Sequence, residues 1–150
     1  MNDYGLIINT VSKFFADVDR CDWPSVCAAM TDRFQADYSS WTGEPAAEVT
    51  PEQLTGGWAQ VLPHMDQVHH MIGNPIVTID GEKATVDCHG MATHFIAEMP
   101  GGDLQFIVGT YRLTLVRQGE AWKLSGMTFN FKYASGNSEL IAETQRRAAA

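Results

Sequence analysis

The stretch of sequence that decides the fold runs from residue 67 to residue 99 and reads QVHHMIGNPIVTIDGEKATVDCHGMATHFIAEM. Two long segments, Gln67–Ile79 and Lys83–Met99, lie on either side of the dipeptide Asp80-Gly81. Asp-Gly between two such segments is a strong signal for a tight β-hairpin turn. The stretch therefore predicts a long antiparallel hairpin in the second half of the chain.

Additional strands are predicted on both sides of this hairpin. Leu104–Arg117 follows a Pro-Gly-Gly-Asp turn, and Ala121–Tyr133 follows a Gln-Gly-Glu turn. Residues 33–41 indicate an earlier strand, which contains Tyr38. Residues 139–147 predict a short terminal helix. The second half of the chain is therefore expected to be mostly β-structure.

Three helices are predicted before the hairpin. Residues 4–20 carry apolar side chains at spacings of three and four, which is typical of an amphipathic helix. Asp22 is a plausible N-cap for a second helix over residues 23–30. A Thr-Pro-Glu-Gln capping box begins a third helix over residues 50–62.

Helices followed by long antiparallel strands predict the α+β class. Long strands in a small chain must curl, and a curled antiparallel sheet closed by helices forms a cone-shaped α+β barrel with an internal cavity. Such a cavity is a natural site for a small hydrophobic ligand. Because no linker or internal repeat interrupts the chain, residues 1–150 are predicted to form a single domain.

Composition excludes several classes of partner. The net charge is −8, from 18 acidic and 10 basic residues, which disfavours binding to nucleic acid or to an anionic membrane surface. No apolar run reaches the roughly 20 residues that span a bilayer, and no basic segment precedes an apolar run at the N-terminus. The three cysteines lack a CxxC spacing, which predicts reduced thiols in a cytoplasmic protein.

Histidines are the first candidates for chemistry. His69 and His70 are adjacent on a predicted strand, so their side chains point to opposite faces of the sheet. His70 shares its face with Val68 and Ile72, the more apolar set, and is the better candidate for the cavity. A single histidine of this kind is nevertheless more often an ordinary core or surface residue.

A second pair of histidines follows the same alternation. His94 shares its face with Ala92 and is the second inward candidate, whereas His89 points to the opposite face unless a bulge intervenes. Which histidines enter the pocket therefore stays open between the named pair and their neighbours His69 and His89.

Asp19 and Tyr38 complete the set of polar candidates. Asp19 ends the first helix, where a carboxylate faces the unfavourable end of the helix dipole and needs a local partner. A histidine would supply one, but helix periodicity alone favours a solvated turn or a surface pair with Arg20. Tyr38 is either a core aromatic residue or a polar group in the pocket.

Other motifs are not found. The chain has no HxxxH or HExxH pattern, no nucleophile elbow, no phosphate-binding glycine loop and no dinucleotide fingerprint, so we expect neither a metal nor a cofactor. Trp41 and Phe129 are typical of a core but can also line a ligand pocket, and Tyr111 stays open between the two.

The chain resembles scytalone dehydratase, in the SnoaL-like branch of the NTF2-like superfamily, over most of its length. The stretches that carry the resemblance are FFADVDRCDWPSV (14–26), FQADYSSW (34–41), VHHMIGNPIVTIDGEKATV (68–86), MATHF (91–95) and EAWKLSGM (120–127). The aspartate and the first histidine also recur as a dyad in hexachlorocyclohexane dehydrochlorinase and bile-acid 7α-dehydratase. The resemblance implies β-elimination, in which a histidine removes a C–H proton and a leaving group departs.

The resemblance also implies roles for four residues. Asp19 would orient His70, the general base, while His94 would be a second acid or base or a contact to the leaving group. Tyr38 would donate a hydrogen bond to a substrate oxygen.

Departures from the family pattern concern the substrate. Val18 stands where scytalone dehydratase has a second tyrosine, and Gly109 and Tyr111 fall where it has a serine and an asparagine. These differences argue against scytalone itself as the substrate. We expect Val18 and Tyr111, together with Trp41 and Phe129, to contact a different one.

Together these observations predict a cofactor-free lyase of the dehydratase type, acting on a small hydrophobic, cyclic, oxygenated substrate. The alternatives are an isomerase like ketosteroid isomerase or a polyketide cyclase, and a non-catalytic ligand-binding module or dioxygenase β-subunit-like partner. Phe106, Val108 and Thr110 should form an outer face too apolar for water. We therefore expect a homo-oligomer, with a trimer preferred over a dimer.

Overall fold

The computed structural model describes residues 2–150. The helices are α1 (Asp3–Asp19), α2 (Trp23–Ala28), α3 (Ser39–Thr42), α4 (Pro51–Ala59) and α5 (Leu140–Ala148), with a 3₁₀ turn at Leu62–His64. The strands are β1 (Met30–Asp37), β2 (Ala47–Val49), β3 (Gln67–Asp80), β4 (Lys83–Phe95), β5 (Leu104–Gln118) and β6 (Ala121–Gly136).

All six strands belong to one curved sheet with the order β2-β1-β6-β5-β4-β3. The strands β3 to β6 form the antiparallel meander that the turn signals predict, and the α+β class is confirmed. The sheet is not entirely antiparallel, because β1 pairs with β6 in parallel. It is also unclosed, since β2 and β3 remain at its two edges.

The predicted hairpin is present as β3 and β4. Asp80 pairs with Lys83 across a tight turn, in which Gly81 adopts a φ of +58°. The register pairs Val68 with His94 and His70 with Ala92. Strand β4 ends at Phe95, before the predicted limit of Met99, because the following residues turn away to join a small second core.

The predicted strand over residues 33–41 is wrong at its C-terminal end. Strand β1 ends at Asp37, whose Oδ1 atom accepts a hydrogen bond from the backbone N–H of Ser39 at 2.9 Å. This contact turns the chain into the single helical turn of α3. Tyr38 is therefore the N-cap of α3 rather than a residue in the middle of a strand.

The two predicted helix caps are both present. The Asp22 side chain accepts a hydrogen bond from Ser25 N–H, and Thr50 and Gln53 form the reciprocal capping box of α4. Helix α2 ends at Ala28, short of Met30, because Met30 is already paired with Leu124 of β6. Helix α4 ends at Ala59, before Leu62.

The main core lies between α1 and the inner face of the sheet. Ile7, Val11, Phe14, Phe15 and Val18 form the buried stripe of α1 at the helical spacing that the sequence predicts. The packing holds the C-terminal end of α1 beside β3. Among residues 2–150, no helix combines the length and the apolar character needed to cross a membrane.

Candidate functional site

A cavity of about 310 Å³ opens between the helices and the inner face of the sheet. Its walls are mostly apolar, and its volume is at the lower end of the roughly 300–1,000 Å³ that is typical of small-molecule sites. Eight residues were assigned a catalytic or substrate-contacting role from the sequence, and seven of them line the cavity: Val18, Tyr38, Trp41, His70, His94, Tyr111 and Phe129. The eighth, Asp19, lies directly behind one of the histidines.

Asp19 and His70 form a close pair. The Asp19 Oδ1 atom lies 2.6 Å from Nδ1 of His70. The same carboxylate also accepts a hydrogen bond from the backbone N–H of His70, at 3.1 Å and 3.0 Å from its two oxygens. Arg20 instead pairs with Asp17, so it leaves Asp19 available to the histidine.

This geometry determines which nitrogen of His70 faces a ligand. A carboxylate oxygen only accepts hydrogen bonds, so Nδ1 of His70 carries a proton, and in the neutral ring Nε2 keeps its lone pair. The Phe15 ring packs against the imidazole with the two centroids 5.6 Å apart. The ring is thus held from two sides, and its free nitrogen can accept a proton.

The neighbouring histidines do not line the cavity. The His69 side chain is 66% exposed, and its Nδ1 atom lies 3.9 Å from Asp19 Oδ2. His89 is exposed on the outer face, where its ring contacts the Asn74 amide at 3.4 Å. Alternation along β3 and β4 therefore separates each histidine pair as the sequence predicts.

His94 is buried at the floor of the cavity with a partner that sequence analysis missed. Its Nδ1 atom lies 3.1 Å from Oε1 of Gln105, the residue directly opposite it on β5. Burial is the main cause that lowers the pKa of His94, and the nearby His70 adds to it, while Gln105 and Asp19 act in the opposite direction. Counting outward from the Pro-Gly-Gly-Asp turn would have paired His94 with Gly109 instead, so the turn by itself does not reveal this partner.

We expect His94 to titrate below the ordinary histidine pKa of 6.5. The unfolded chain then binds the proton more tightly than the folded one, so this residue makes folding less favourable as the pH falls below 6.5. An NMR titration of the His94 ring protons would measure the pKa. Chemical denaturation of the wild type and of His94→Gln at several pH values below 6.5 would show how much of the pH dependence of the unfolding free energy comes from His94. An NMR titration midpoint at or above 6.5 would contradict the expectation.

Two phenols face the same space. The Tyr38 hydroxyl donates to the sulfur of Met127 at 3.1 Å, a weak acceptor that a ligand oxygen can replace. Burial raises the pKa of Tyr38, with a smaller contribution from Tyr111. Burial likewise raises the pKa of Tyr111. Both hydroxyls therefore stay protonated and can donate hydrogen bonds at neutral pH.

An aromatic wall supports these phenols. The Tyr111 ring lies between Phe15 and Phe129, with centroid distances of 5.0 Å and 4.9 Å. Trp41 packs edge-on against Phe129 at 6.0 Å and remains 42% exposed, which places it at the mouth of the cavity. Trp41, Tyr111 and Phe129 therefore combine the two roles that the sequence left open, because they pack together and line the cavity.

Two glycines make room for this wall. A Cβ atom on Gly90 would lie 2.2 Å from the Tyr111 ring, and one on Gly109 would lie 2.7 Å from the Phe129 ring. Both positions lie within strands, where a larger side chain would push these rings toward the cavity. Among residues 2–150, no group of three or more His, Cys, Asp or Glu side chains is arranged to hold a metal ion.

A curved six-stranded sheet, packed against helices around an apolar cavity, defines the NTF2-like class of folds. The model of the SnoaL-like domain family matches residues 1–128, and the chain belongs to that family. No curated protein matches the chain.

Solved structures share the whole fold. The Kfla4162 protein from Kribbella flavida is 25% identical with a TM-score of 0.84, and the match covers 93% of this chain and 97% of the other. A candidate scytalone dehydratase from Novosphingobium aromaticivorans is 14% identical with a TM-score of 0.74, covering 90% and 87%. Hexachlorocyclohexane dehydrochlorinase LinA-type3 from Novosphingobium barchaimii is 16% identical with a TM-score of 0.71, covering 90% of each chain.

Proposed function

We propose that this protein is a lyase of the dehydratase type that catalyses β-elimination on a small, hydrophobic, cyclic, oxygenated substrate with its own side chains. The observation that carries the proposal is the Asp19–His70 pair, with an O–N distance of 2.6 Å, at the wall of an apolar cavity. The names of the dehydrochlorinase and the candidate dehydratase among the similar structures support elimination chemistry.

Proton removal is the first step of this mechanism. The free Nε2 atom of His70 takes a proton from a carbon next to an electron-withdrawing group, and the electron pair moves onto the substrate oxygen. Asp19 stabilises the imidazolium that forms and holds the ring in the required tautomer. A base positioned in this way contributes a rate factor of about 10²–10⁴.

Departure of the leaving group completes the reaction. Tyr38 donates a hydrogen bond to the developing negative charge on the substrate oxygen. The electron pair then returns and expels the leaving group from the neighbouring carbon, where His94 contacts it. A hydroxyl group leaves as water with the proton that His70 took up, which restores the neutral base. Val18, Trp41, Tyr111 and Phe129 hold the apolar frame of the substrate, so that the C–H bond points at His70.

Isomerisation is the second candidate. It uses the same proton removal and returns the proton to a different carbon, with no leaving group. The two buried phenols favour this candidate specifically, because both can stabilise an enolate long enough for the proton to be returned. A non-catalytic carrier would need the cavity but not the close acid–base pair.

A panel of β-hydroxy ketones on one-ring and two-ring frames would test the proposal. Elimination converts each of them into a conjugated enone, which absorbs in the near ultraviolet, and NMR in D₂O would detect exchange of the proton next to the carbonyl. Enone formation indicates a lyase, and exchange without elimination indicates an isomerase. If neither occurs for any compound that binds, the carrier function is favoured.

We also propose self-association through the outer face of the sheet, as a trimer in preference to a dimer. Phe106, Val108 and Thr110 lie on this outer face, and the residues between them on β5 are buried on the inner face. Met71 and Tyr133 lie in the same cross-strand row as Val108 and are 55% and 56% exposed. Light scattering at micromolar concentration would test this proposal, and a monomer would refute it.

A further inference from the structure

We propose that Gln105 is a positioning residue that holds His94 with its Nε2 atom as a hydrogen-bond acceptor, so that the cavity selects an uncharged substrate with a hydroxyl group at that point. This inference deepens the proposed function and rests on it, because it assumes that the substrate occupies this cavity. It places the hydroxyl group of the substrate, a hydrogen-bond donor, beside Nε2 of His94.

The contact between the two side chains determines the tautomer. Oε1 of Gln105 lies 3.1 Å from Nδ1 of His94, and the two residues are only 7% and 6% exposed. An amide oxygen only accepts hydrogen bonds, so Nδ1 of His94 carries the proton. The other ring nitrogen, Nε2, therefore keeps its lone pair.

Nε2 of His94 opens toward the cavity. Among the described residues, every fully buried side-chain nitrogen or oxygen atom has a hydrogen-bond partner. His94 makes its hydrogen bond to Gln105 through Nδ1, which leaves Nε2 in contact with open space. Since His94 lines the cavity, this open space is the substrate site.

The charges around His94 keep it neutral in this arrangement. Burial opposes the charged form, and a proton on His70 would oppose it further. Gln105 is an uncharged partner, unlike the Asp19 carboxylate that supports His70. The two histidines therefore differ: His70 can hold an added proton, whereas His94 offers a lone pair to a donor.

The remaining lining residues complete the description of the ligand. The lining contains no Lys or Arg, so nothing there compensates a carboxylate or phosphate group. A hydroxyl group satisfies this site, because it donates a hydrogen bond to His94 while its oxygen can still accept one. A halide or an ether oxygen at the same place would leave the His94 lone pair unpaired.

Nitrogen-15 NMR of the histidine rings would test the positioning role without any substrate. In the wild type, His94 should be neutral with its proton on Nδ1. Gln105→Leu removes the acceptor, so the proton should move wholly or partly to Nε2. Gln105→Glu retains an acceptor and adds a charge, so the proton should stay on Nδ1 and the pKa of His94 should rise. A wild-type proton on Nε2, or an unchanged tautomer in Gln105→Leu, would overturn the proposal.

A matched pair of probes would test the selectivity. 2-Naphthol carries a hydroxyl donor, and 2-methoxynaphthalene has the same frame without one. Calorimetry should show that the wild type binds the naphthol about tenfold more tightly, the value of roughly one hydrogen bond. The naphthol should also shift the His94 Nε2 resonance, and Gln105→Leu should largely remove the preference. Equal binding of both probes to the wild type would contradict the inference.

These measurements separate the inference from the proposed function. The NMR experiment reads the protonation state of His94 in a protein that need not turn over any substrate. If His94 has the expected tautomer but no β-hydroxy ketone reacts, only the lyase proposal fails. If the ketones react but His94 carries its proton on Nε2, only the role of Gln105 fails.

Discussion

His70→Ala is expected to lower the turnover of an elimination substrate by a factor of about 10²–10⁴, because it removes the base that takes the proton. Substrate binding should change far less, since the apolar walls of the cavity remain. The measurement is steady-state kinetics on the first β-hydroxy ketone that the wild type converts, with the fold checked by circular dichroism.

His69→Ala is the matched control for this change. His69 is the adjacent residue on the same strand, but its side chain is 66% exposed and points away from the cavity. The control variant should therefore retain nearly all of the activity. A similar loss in both variants would mean that the strand, rather than the His70 ring, was damaged.

Asp19→Asn tests whether the two residues act as one unit. The substitution keeps the shape but removes the charge that stabilises the imidazolium, and it can also present a donor to His70, so turnover should again fall strongly. The double variant Asp19→Asn/His70→Ala should be scarcely worse than His70→Ala alone, because residues that act together are not additive. Additive losses would show that Asp19 and His70 work independently.

Gly109→Ala is expected to destabilise the fold by about 1–3 kcal/mol, the usual cost of an overpacked site. The added Cβ atom would lie 2.3 Å from the backbone oxygen of Asn130 and 2.7 Å from the Phe129 ring. The backbone cannot move away without disturbing the pairing of β5 with β6. Urea denaturation would measure the change in the free energy of unfolding.

Gly56→Ala serves as the control because the same change there meets no obstacle. Gly56 lies inside α4, and a Cβ atom would have no heavy atom within 4 Å. Alanine in a helix interior should therefore stabilise the protein by roughly 0.5–1 kcal/mol. If both variants lost the same amount of stability, the close contacts at Gly109 could not be the cause.

Local signals were sufficient for most of the secondary structure. The Asp80-Gly81 turn, the cap at Asp22 and the capping box at Thr50 all act within a few residues, so their effect can be read from neighbouring letters. The end of β1 was misjudged because its signal is weaker. The Asp37 side chain turns the chain toward Ser39, although residues 33–39 alternate polar and apolar side chains as a strand would.

Contacts between segments that are far apart along the chain could be predicted from the sequence only in part. Alternation placed His70 and His94 on inward faces. For Asp19, helix periodicity favoured a solvated turn or a pair with Arg20, and only the family resemblance assigned it to His70. Asp19 and His70 are separated by 51 residues, and the packing of α1 against β3 brings them together. The parallel pairing of β1 with β6 was missed for the same reason, because the two strands lie at opposite ends of the chain.

The sequence by itself therefore determined the α+β class, the meander, the caps and the faces on which the histidines lie, since each follows from interactions among neighbouring residues. Only the tertiary structure decided that Asp19 reaches His70, that Gln105 holds His94, and that Tyr38 begins a helical turn beside Met127. These contacts depend on how one element packs against another. That packing is set by the whole core, to which each local segment contributes only one face.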